Sequence, residues 1–307
     1  MAVLVVGSVA LDTVETPFGK VTDALGGSAV YFALAASLYT PVALVGVVGE
    51  DFPARYLEWL RQRPIDLRGL QVRPGRTFRW VGWYDYDLNH AHTLETHLNV
   101  FADFQPDLPA DYRRARFVFL ANIDPDLQLR VLDQVERPEL VVVDSMNYWI
   151  AHKRAALTRV LERADIVTLN EAEVREYAQH PVLLTAARRI LALGPRALVV
   201  KKGEYGCVLF ANDHYFVAPA YPLEEVRDPT GAGDSFAGGM LGYLATCPRV
   251  TMAALRRALV HGSVVASFTC EAFSVERLLT LDRAAIAARY REFREFTSFE
   301  TGEENGD

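Results

Sequence analysis

The chain has 307 residues, 50% of them hydrophobic and 23% charged, and a formal net charge of −7. That is a globular composition with core enough to need no staples, and its acidic balance argues against general nucleic-acid binding, where a basic face supplies the affinity. No apolar run reaches about 18 residues, so neither a transmembrane span nor a membrane partner is expected. The three cysteines, Cys207, Cys247 and Cys270, form no zinc spacing or disulfide framework and point to a reducing compartment, the cytoplasm.

The opening "MAVLVVGSVALD" lacks the basic flank of a signal peptide and reads as a buried strand over Val3–Gly7. A helix is expected over Ser28–Leu38, a strand over Val42–Gly49 and a helix over Ala54–Arg61. Strands over Arg116–Ala121, Glu139–Asp144, Asp165–Asn170 and Arg196–Gly203 then alternate with helices over Asp126–Val135, Lys153–Arg163 and Leu183–Leu193. The alternation predicts a mostly parallel sheet with helices on both faces. Ligands of such sheets sit at the carboxyl ends of the strands, which here carry Asp12, Asn122, Asp144, Asn170 and Gly203. Asn122, Asp144 and, just beyond, Asn147 either line a substrate pocket or cap their turns.

Two stretches break the pattern. Thr13–Leu25 and Thr77–Val100 alternate like strands with no helix between the runs, and read as hairpins of a small antiparallel flap whose turn is "DLNHAH". In the second hairpin Phe78, Trp80 and Gly82 share one face and oppose Arg79, Val81 and Trp83. An aromatic face of this kind can stack on a sugar or base, pack within the flap, or join two copies as a homodimer. Arg79 is its candidate for a hydroxyl contact. His90, His92 and His97 also fall in the flap, but without acidic or cysteine partners at ligand spacing they read as polar surface residues. The last third is helical over Ser235–Ala245, Met252–Phe268 and Asp282–Phe296, and residues 297–307 form a polar tail expected to be disordered.

The chemistry concentrates in "RDPTGAGDSFAGG", Arg227–Gly239. The first N–H groups of a helix lack internal partners, and the dipole leaves partial positive charge there. Gly231, Ala232 and Gly233 have little side chain to block a phosphate from that backbone. An aspartate at the same place would repel a bound phosphate, so Asp234 makes sense as the base that takes a proton from an attacking hydroxyl. A glycine-rich turn with Asp234 as a plain N-cap is the structural rival.

The stretch "DPTGAGDSFAGG" resembles the C-terminal signature of the ribokinase-like, PfkB-type carbohydrate kinases, and the resemblance extends over nearly the whole chain. "VVGSVALD" is similar to the family's first strand, which ends in a substrate-binding aspartate, here Asp12. "ALGGSAVYFALAASL" resembles the N-terminal signature, which implies Gly26 and Gly27 against the sugar and Tyr31 where an asparagine often touches substrate hydroxyls. "VTLNEAEV" matches the N-x-x-E motif, implying Asn170 and Glu173 near Mg²⁺ and the phosphates, with Glu173 acting on the metal through water; the same pair also reads as a helix cap. "VVKKGEYGCVLF" resembles the nucleotide-side strand and turn, which implies Lys202 and Gly203 near the phosphates and Gly206 continuing the hairpin. Asp228 and Thr230 resemble positions that hold K⁺ in cation-dependent members, a plain turn being the rival. "VVASFTCEAFSVERL" stands where a loop wraps the adenine.

The resemblance implies a three-layer α/β/α core with a mostly parallel central sheet and a small antiparallel β-lid, all within residues 1–296. It also implies ATP- and Mg²⁺-dependent phosphorylation of a hydroxyl, a hydroxymethyl above all, on a sugar or sugar-like small molecule. "DSMNYWI" departs from the frequent D-x-N-x-R pattern and puts Trp149 where an arginine often stands, which weakens the case for a phosphorylated sugar. A nucleoside kinase of the same fold is the alternative that the aromatic flap and Tyr31 favour. A non-catalytic sugar sensor on this fold is a rival of another class, opposed by the intact Asp234 and anion-binding turn. A dinucleotide oxidoreductase is the weakest rival, since "GSVALD" after the first strand is not G-x-G-x-x-G.

Overall fold

The computed structural model describes residues 2–211 and 214–298. Strand β1 (Val3–Val6) leads into a hairpin of β2 (Ala10–Thr16) and β3 (Gly19–Gly26), then α1 (Ser28–Ser37), β4 (Val42–Gly49), α2 (Ala54–Arg61) and β5 (Ile65–Arg73). A second hairpin follows, β6 (Phe78–Tyr84) and β7 (Ala91–His97). The middle of the chain alternates through β8 (Phe117–Leu120), α3 (Pro125–Leu132), β9 (Leu140–Asp144), α4 (Asn147–His152), α5 (Arg154–Leu161), β10 (Ile166–Asn170), α6 (Glu171–Ala178), α7 (Leu183–Leu191) and β11 (Ala197–Lys201). Strands β12 (Cys207–Ala211) and β13 (His214–Ala218) precede four helices, α8 (Ala232–Thr246), α9 (Met252–Thr269), α10 (Glu276–Thr280) and α11 (Arg283–Thr297).

Nine strands form the large sheet in the order β13-β12-β11-β10-β9-β8-β1-β4-β5. From β11 to β5 every neighbour is parallel, while β12 and β13 run antiparallel at one edge. Buried on both faces, these strands carry continuous apolar runs, as in the eight buried residues of β4. Alternation sends Val3, Val5, Leu140, Val142, Ala197 and Val199 to the side covered by α1, α2 and α8–α11. Leu4, Val6, Val141, Val143, Leu198 and Val200 meet α3–α7 on the other side. The result is the expected three-layer α/β/α core. After β1 the chain builds β4 and β5 on one side and then returns to place β8 on the other, so the strand order reverses beside β1, where such sheets open their ligand crevice.

The two hairpins join into a four-stranded lid, β3-β2-β6-β7. Each hairpin is antiparallel, and β2 pairs with β6 in parallel, which makes the junction. The bases of both hairpins spring from the active side of the large sheet, so the lid overhangs the strand ends. Trp83 and Leu94 lie exposed on it, and β7 is exposed along its whole length.

Four elements escape the βα reading. β5 is half-polar because it closes an edge, α4 is a short turn of helix ahead of α5, and β12–β13 is an antiparallel return after β11. The last helix continues to Thr297, one residue into the expected tail; the tail from 299 onward lies outside the described residues. Helices α1 and α8 touch backbone to backbone, since a Cβ on Gly238 would lie 2.4 Å from the Phe32 carbonyl oxygen. No helix among the described residues is long and apolar enough to cross a membrane.

Candidate active site

Helix α8 is capped by Gly231, whose φ of 75° is left-handed and whose missing Cβ leaves room for the Tyr31 ring, 2.3 Å from where that atom would stand. Among the described residues the backbone N–H groups of Gly231, Gly233 and Asp234 find no acceptor, whereas that of Ala232 turns back to the Pro229 carbonyl at 3.1 Å. Three unshielded donors therefore stand at the positive end of a 15-residue helix. The Asp234 carboxylate stands in the first turn, half-buried and reached by solvent, without a hydrogen bond to hold its charge. Burial, then the neighbouring Asp144 carboxylate, pushes its pKa up to about 7, against the opposing pull of Lys201. A carboxylate so tuned is a competent base near neutral pH.

Beside this turn the ends of β9 and β11 present Asp144 and Lys201. Both continue the alternation that faces α8, after Val142 and Val199. The Lys201 ammonium donates to Asp144 Oδ2 at 2.7 Å, and Asp144 Oδ1 accepts the Ser145 amide at 2.9 Å. Lys202, the lysine expected at the phosphates, points the other way and pairs with Glu171 at 3.2 Å. Asn170 and Glu173 form a complete capping box, with the Asn170 amide on Glu173 Oε2 and the Glu173 amide on Asn170 Oδ1, each at 2.8 Å. The expected helix cap is therefore present. Glu173 is buried; that burial, opposed by Lys201 and reinforced by Asp144, raises its pKa to about 7. Gly203 and Gly206, at φ 56° and 86°, turn β11 into β12.

Across the cleft Asp12 lies in β2, packed against Gly26, where any Cβ would fall 1.8 Å from Asp12 Oδ2. Burial raises its pKa to about 7, partly countered by the Gly27 amide and reinforced by Asp228 and Asp234. Gly27 is the N-cap of α1 at φ 96°. Tyr31 is buried between that helix and Gly231; burial, then Asp228 and Asp12, lifts its hydroxyl far above the usual tyrosine range. Trp80 is the direct β6 neighbour of Asp12, so the two share the inner face of the lid. Its ring lies along Gly82, 2.3 Å from the position of a Cβ there, and its indole N–H donates to Thr93 at 3.1 Å.

The other expected residues make contacts within the protein. Arg79 lies on the opposite lid face and is engaged by Asp23 and by Asp51, the latter at 2.9 Å, so it ties lid to core. Asn122 accepts the Trp149 indole N–H at 3.0 Å, and Asn147 is exposed, bonded to the Tyr148 amide at 2.9 Å. Asp228 is buried, with Oδ1 on the Thr230 amide at 2.9 Å and Oδ2 on the Ser274 amide at 3.1 Å. It clamps the loop ahead of the anion-binding turn. The flap histidines are exposed and pair with near neighbours, His90 with Asp87, His92 with Asp85 and His97 with Glu95.

The profile described as "pfkB family carbohydrate kinase" matches residues 3–280. The chain belongs to the pfkB family of carbohydrate kinases. It is a phosphotransferase. It is 31% identical to a cytidine kinase of Thermococcus kodakarensis over 267 residues, 83% of this chain and 95% of the relative. It is 28% identical to a nucleoside kinase of Methanothermobacter thermautotrophicus over 268 residues, 84% of this chain and 82% of that one. The structure of a Burkholderia thailandensis nucleoside kinase in complex with ADP-inosine has a TM-score of 0.78 over 100% of this chain and 99% of its own, at 20% identity, a likeness of fold.

The cleft of this pfkB-family kinase fits a terminal phosphate and Mg²⁺. Three free amides open α8, the Lys201 ammonium lies beside Gly233, and the second oxygen of Glu173 is left uncommitted by the cap. No group of three or more His, Cys, Asp or Glu that could hold a metal occurs among the described residues. The chain would therefore hold Mg²⁺ through Glu173, water and phosphate oxygens, as that ion prefers. The lid rests on this region. The Tyr84 hydroxyl accepts from Thr230 at 3.3 Å, Thr16 donates to the Arg227 carbonyl at 2.8 Å, and Asn89 bonds Glu204 through both ends of its amide, at 3.0 and 3.3 Å. Sequence reading missed Lys201, Asn89 and Ser274. Strand parity from Val199 would have singled out Lys201; nothing local marks the other two.

Proposed function

We propose that this kinase phosphorylates a nucleoside on its hydroxymethyl group, with Mg·ATP as donor. The observation that carries this reading is the pairing of Asp12 with Trp80 on one face of the lid. A carboxylate that accepts hydrogen bonds from ribose hydroxyls stands next to an indole plane on which a base can stack. The names of the two relatives above support the same acceptor class.

In this reading Asp12 and the Gly26–Gly27 backbone hold the sugar, and Asp234 takes the proton of its hydroxymethyl oxygen. The amides of Gly231, Gly233 and Asp234 then face the charge spread over the oxygens of the transferred group. ATP supplies that phosphoryl group. Lid contacts at Thr230 and Glu204 shut out water, whose attack would waste the nucleotide. Of the residues implied for K⁺, Asp228 accepts one backbone amide on each oxygen and Thr230 donates to Tyr84, which leaves carboxylate lone pairs free.

The test is ADP release with cytidine, adenosine, inosine, ribose and fructose side by side. Nucleosides should lead in kcat/KM, and Trp80→Ala should raise their KM about tenfold, the worth of one aromatic stack. Ribose or fructose turned over better than every nucleoside would overturn the assignment.

A further inference from the structure

We propose that Lys201 is a catalytic residue of this kinase, held by Asp144 so that its ammonium contacts the transferred phosphoryl group beside the Gly231–Asp234 amides. The inference rests on the proposed ATP-dependent reaction and adds a group that the sequence resemblance assigned elsewhere, to Lys202.

Placement comes from the fold. Lys201 is the last residue of β11 and pairs in register with Asn170, the cap of α6. Its side chain runs along the backbone of Gly233. A Cβ on that glycine would stand 3.4 Å from Nζ, 3.7 Å from Cδ and 3.9 Å from Cε. The ammonium is thus laid against the same turn whose amides are free. Its side chain is 19% exposed, so it remains reachable from the cleft.

Asp144 is built to hold that position. It is 4% exposed as a side chain, its Oδ2 takes Lys201 at 2.7 Å and its Oδ1 takes the Ser145 amide. Its carbonyl is pinned by the buried Gln128 amide at 3.0 Å. One of the three ammonium protons is used by Asp144, which leaves two donors for phosphoryl oxygens.

Charge leads to the same place. The turn has Asp234, Asp144 and Glu173 near it, a poor setting for a polyphosphate unless a cation offsets them. Of the other cations, Arg79 is engaged by Asp23 and Asp51 and Lys202 by Glu171, whereas Lys201 is the one laid against Gly233. Lys201 keeps its proton against burial because Asp144, Glu173 and Asp234 surround it. In the loose transition state the transferred group flattens between attacking and leaving oxygens with its charge spread over three equatorial oxygens, and an ammonium placed for that geometry acts on turnover more than on ground-state binding.

The experiment compares wild type, Lys201→Met and the pair variant Asp144→Asn/Lys201→Met, which leaves no buried unpaired charge. Calorimetric titration with β,γ-imido-ATP and with ADP, without acceptor, is read alongside steady-state kinetics. We expect affinity for β,γ-imido-ATP to fall about tenfold in both variants while that for ADP moves less than about twofold. We also expect kcat to fall about 10²–10³-fold, the usual loss for one such donor. Equal loss of both nucleotides, or imido-ATP affinity and kcat within about threefold of wild type, would overturn the proposal. Because the titrations contain no acceptor, a sugar in place of a nucleoside leaves them unchanged. A wild-type protein that binds neither nucleotide would instead overturn the ATP-dependent reading, and this inference with it.

Discussion

Replacing Asp234 by asparagine keeps the side chain's size and removes both its charge and its ability to take a proton. Two consequences of opposite sign follow. As the base, Asp234 contributes on the order of 10²–10⁴ to rate, so turnover should drop about 10³-fold. Stability should move the other way. The folded-state pKa of about 7 lies above the 3.8 of an unstrained carboxyl, chiefly through burial and then Asp144. The folded protein therefore binds this proton more tightly than the unfolded chain. Below about pH 4 both states are protonated and nothing is lost. As pH rises through 7 the folded carboxyl must ionise, and stability declines across that window. Three pH units at about 1.4 kcal/mol each set a ceiling of about 4 kcal/mol. Solvent in the cleft screens part of it, leaving roughly 2 kcal/mol at pH 8. Asparagine carries no such charge, so the variant should melt several degrees higher than wild type at pH 8 and gain little at pH 4. Coupled ADP release and scanning calorimetry at the two pH values, without nucleotide, read both effects. Turnover within tenfold of wild type, or a variant less stable than wild type at pH 8, would refute the reasoning.

The same shift predicts that wild-type kcat/KM falls on the acid side of about pH 7, where Asp234 and Asp12 gain protons, measurable as a pH–rate profile. Gly231→Ala meets a left-handed φ and the Tyr31 ring together, and should cost about 2–3 kcal/mol in urea denaturation as well as most activity. Asn89→Ala removes the lid's link to Glu204 and should raise acceptor-free ATP hydrolysis several-fold, read as ADP release without acceptor. Arg79→Met should leave the acceptor KM within about threefold, because Arg79 serves Asp23 and Asp51, while exposing the lid to faster proteolysis.

What the sequence by itself determined is whatever depends on short-range pattern. Apolar runs such as "VALVGVVG" declare a strand covered on both faces, and their alternation with helices predicts a parallel sheet. The glycines and small residues before Asp234 announce a bare helix start wherever that helix lies, and Asn170 with Glu173 writes a cap within four residues. Even the lid's two faces follow from parity, with Trp80 opposed to Arg79.

What only the tertiary structure decided is which distant groups meet. Lys201 and Lys202 are adjacent and chemically alike, yet one reaches Asp144, 57 residues away, and the other a surface glutamate; the choice depends on which layer of helices each faces. Arg79 looked free to bind a hydroxyl until Asp23 and Asp51 closed on it. Asn89 gains a partner 115 residues along, and Asp228 one 46 residues along. Local pattern reports how a side chain leaves its own backbone. Where a charge finds its counter-charge, and hence its pKa and its role, is set by packing between elements that the chain joins only through the folded core.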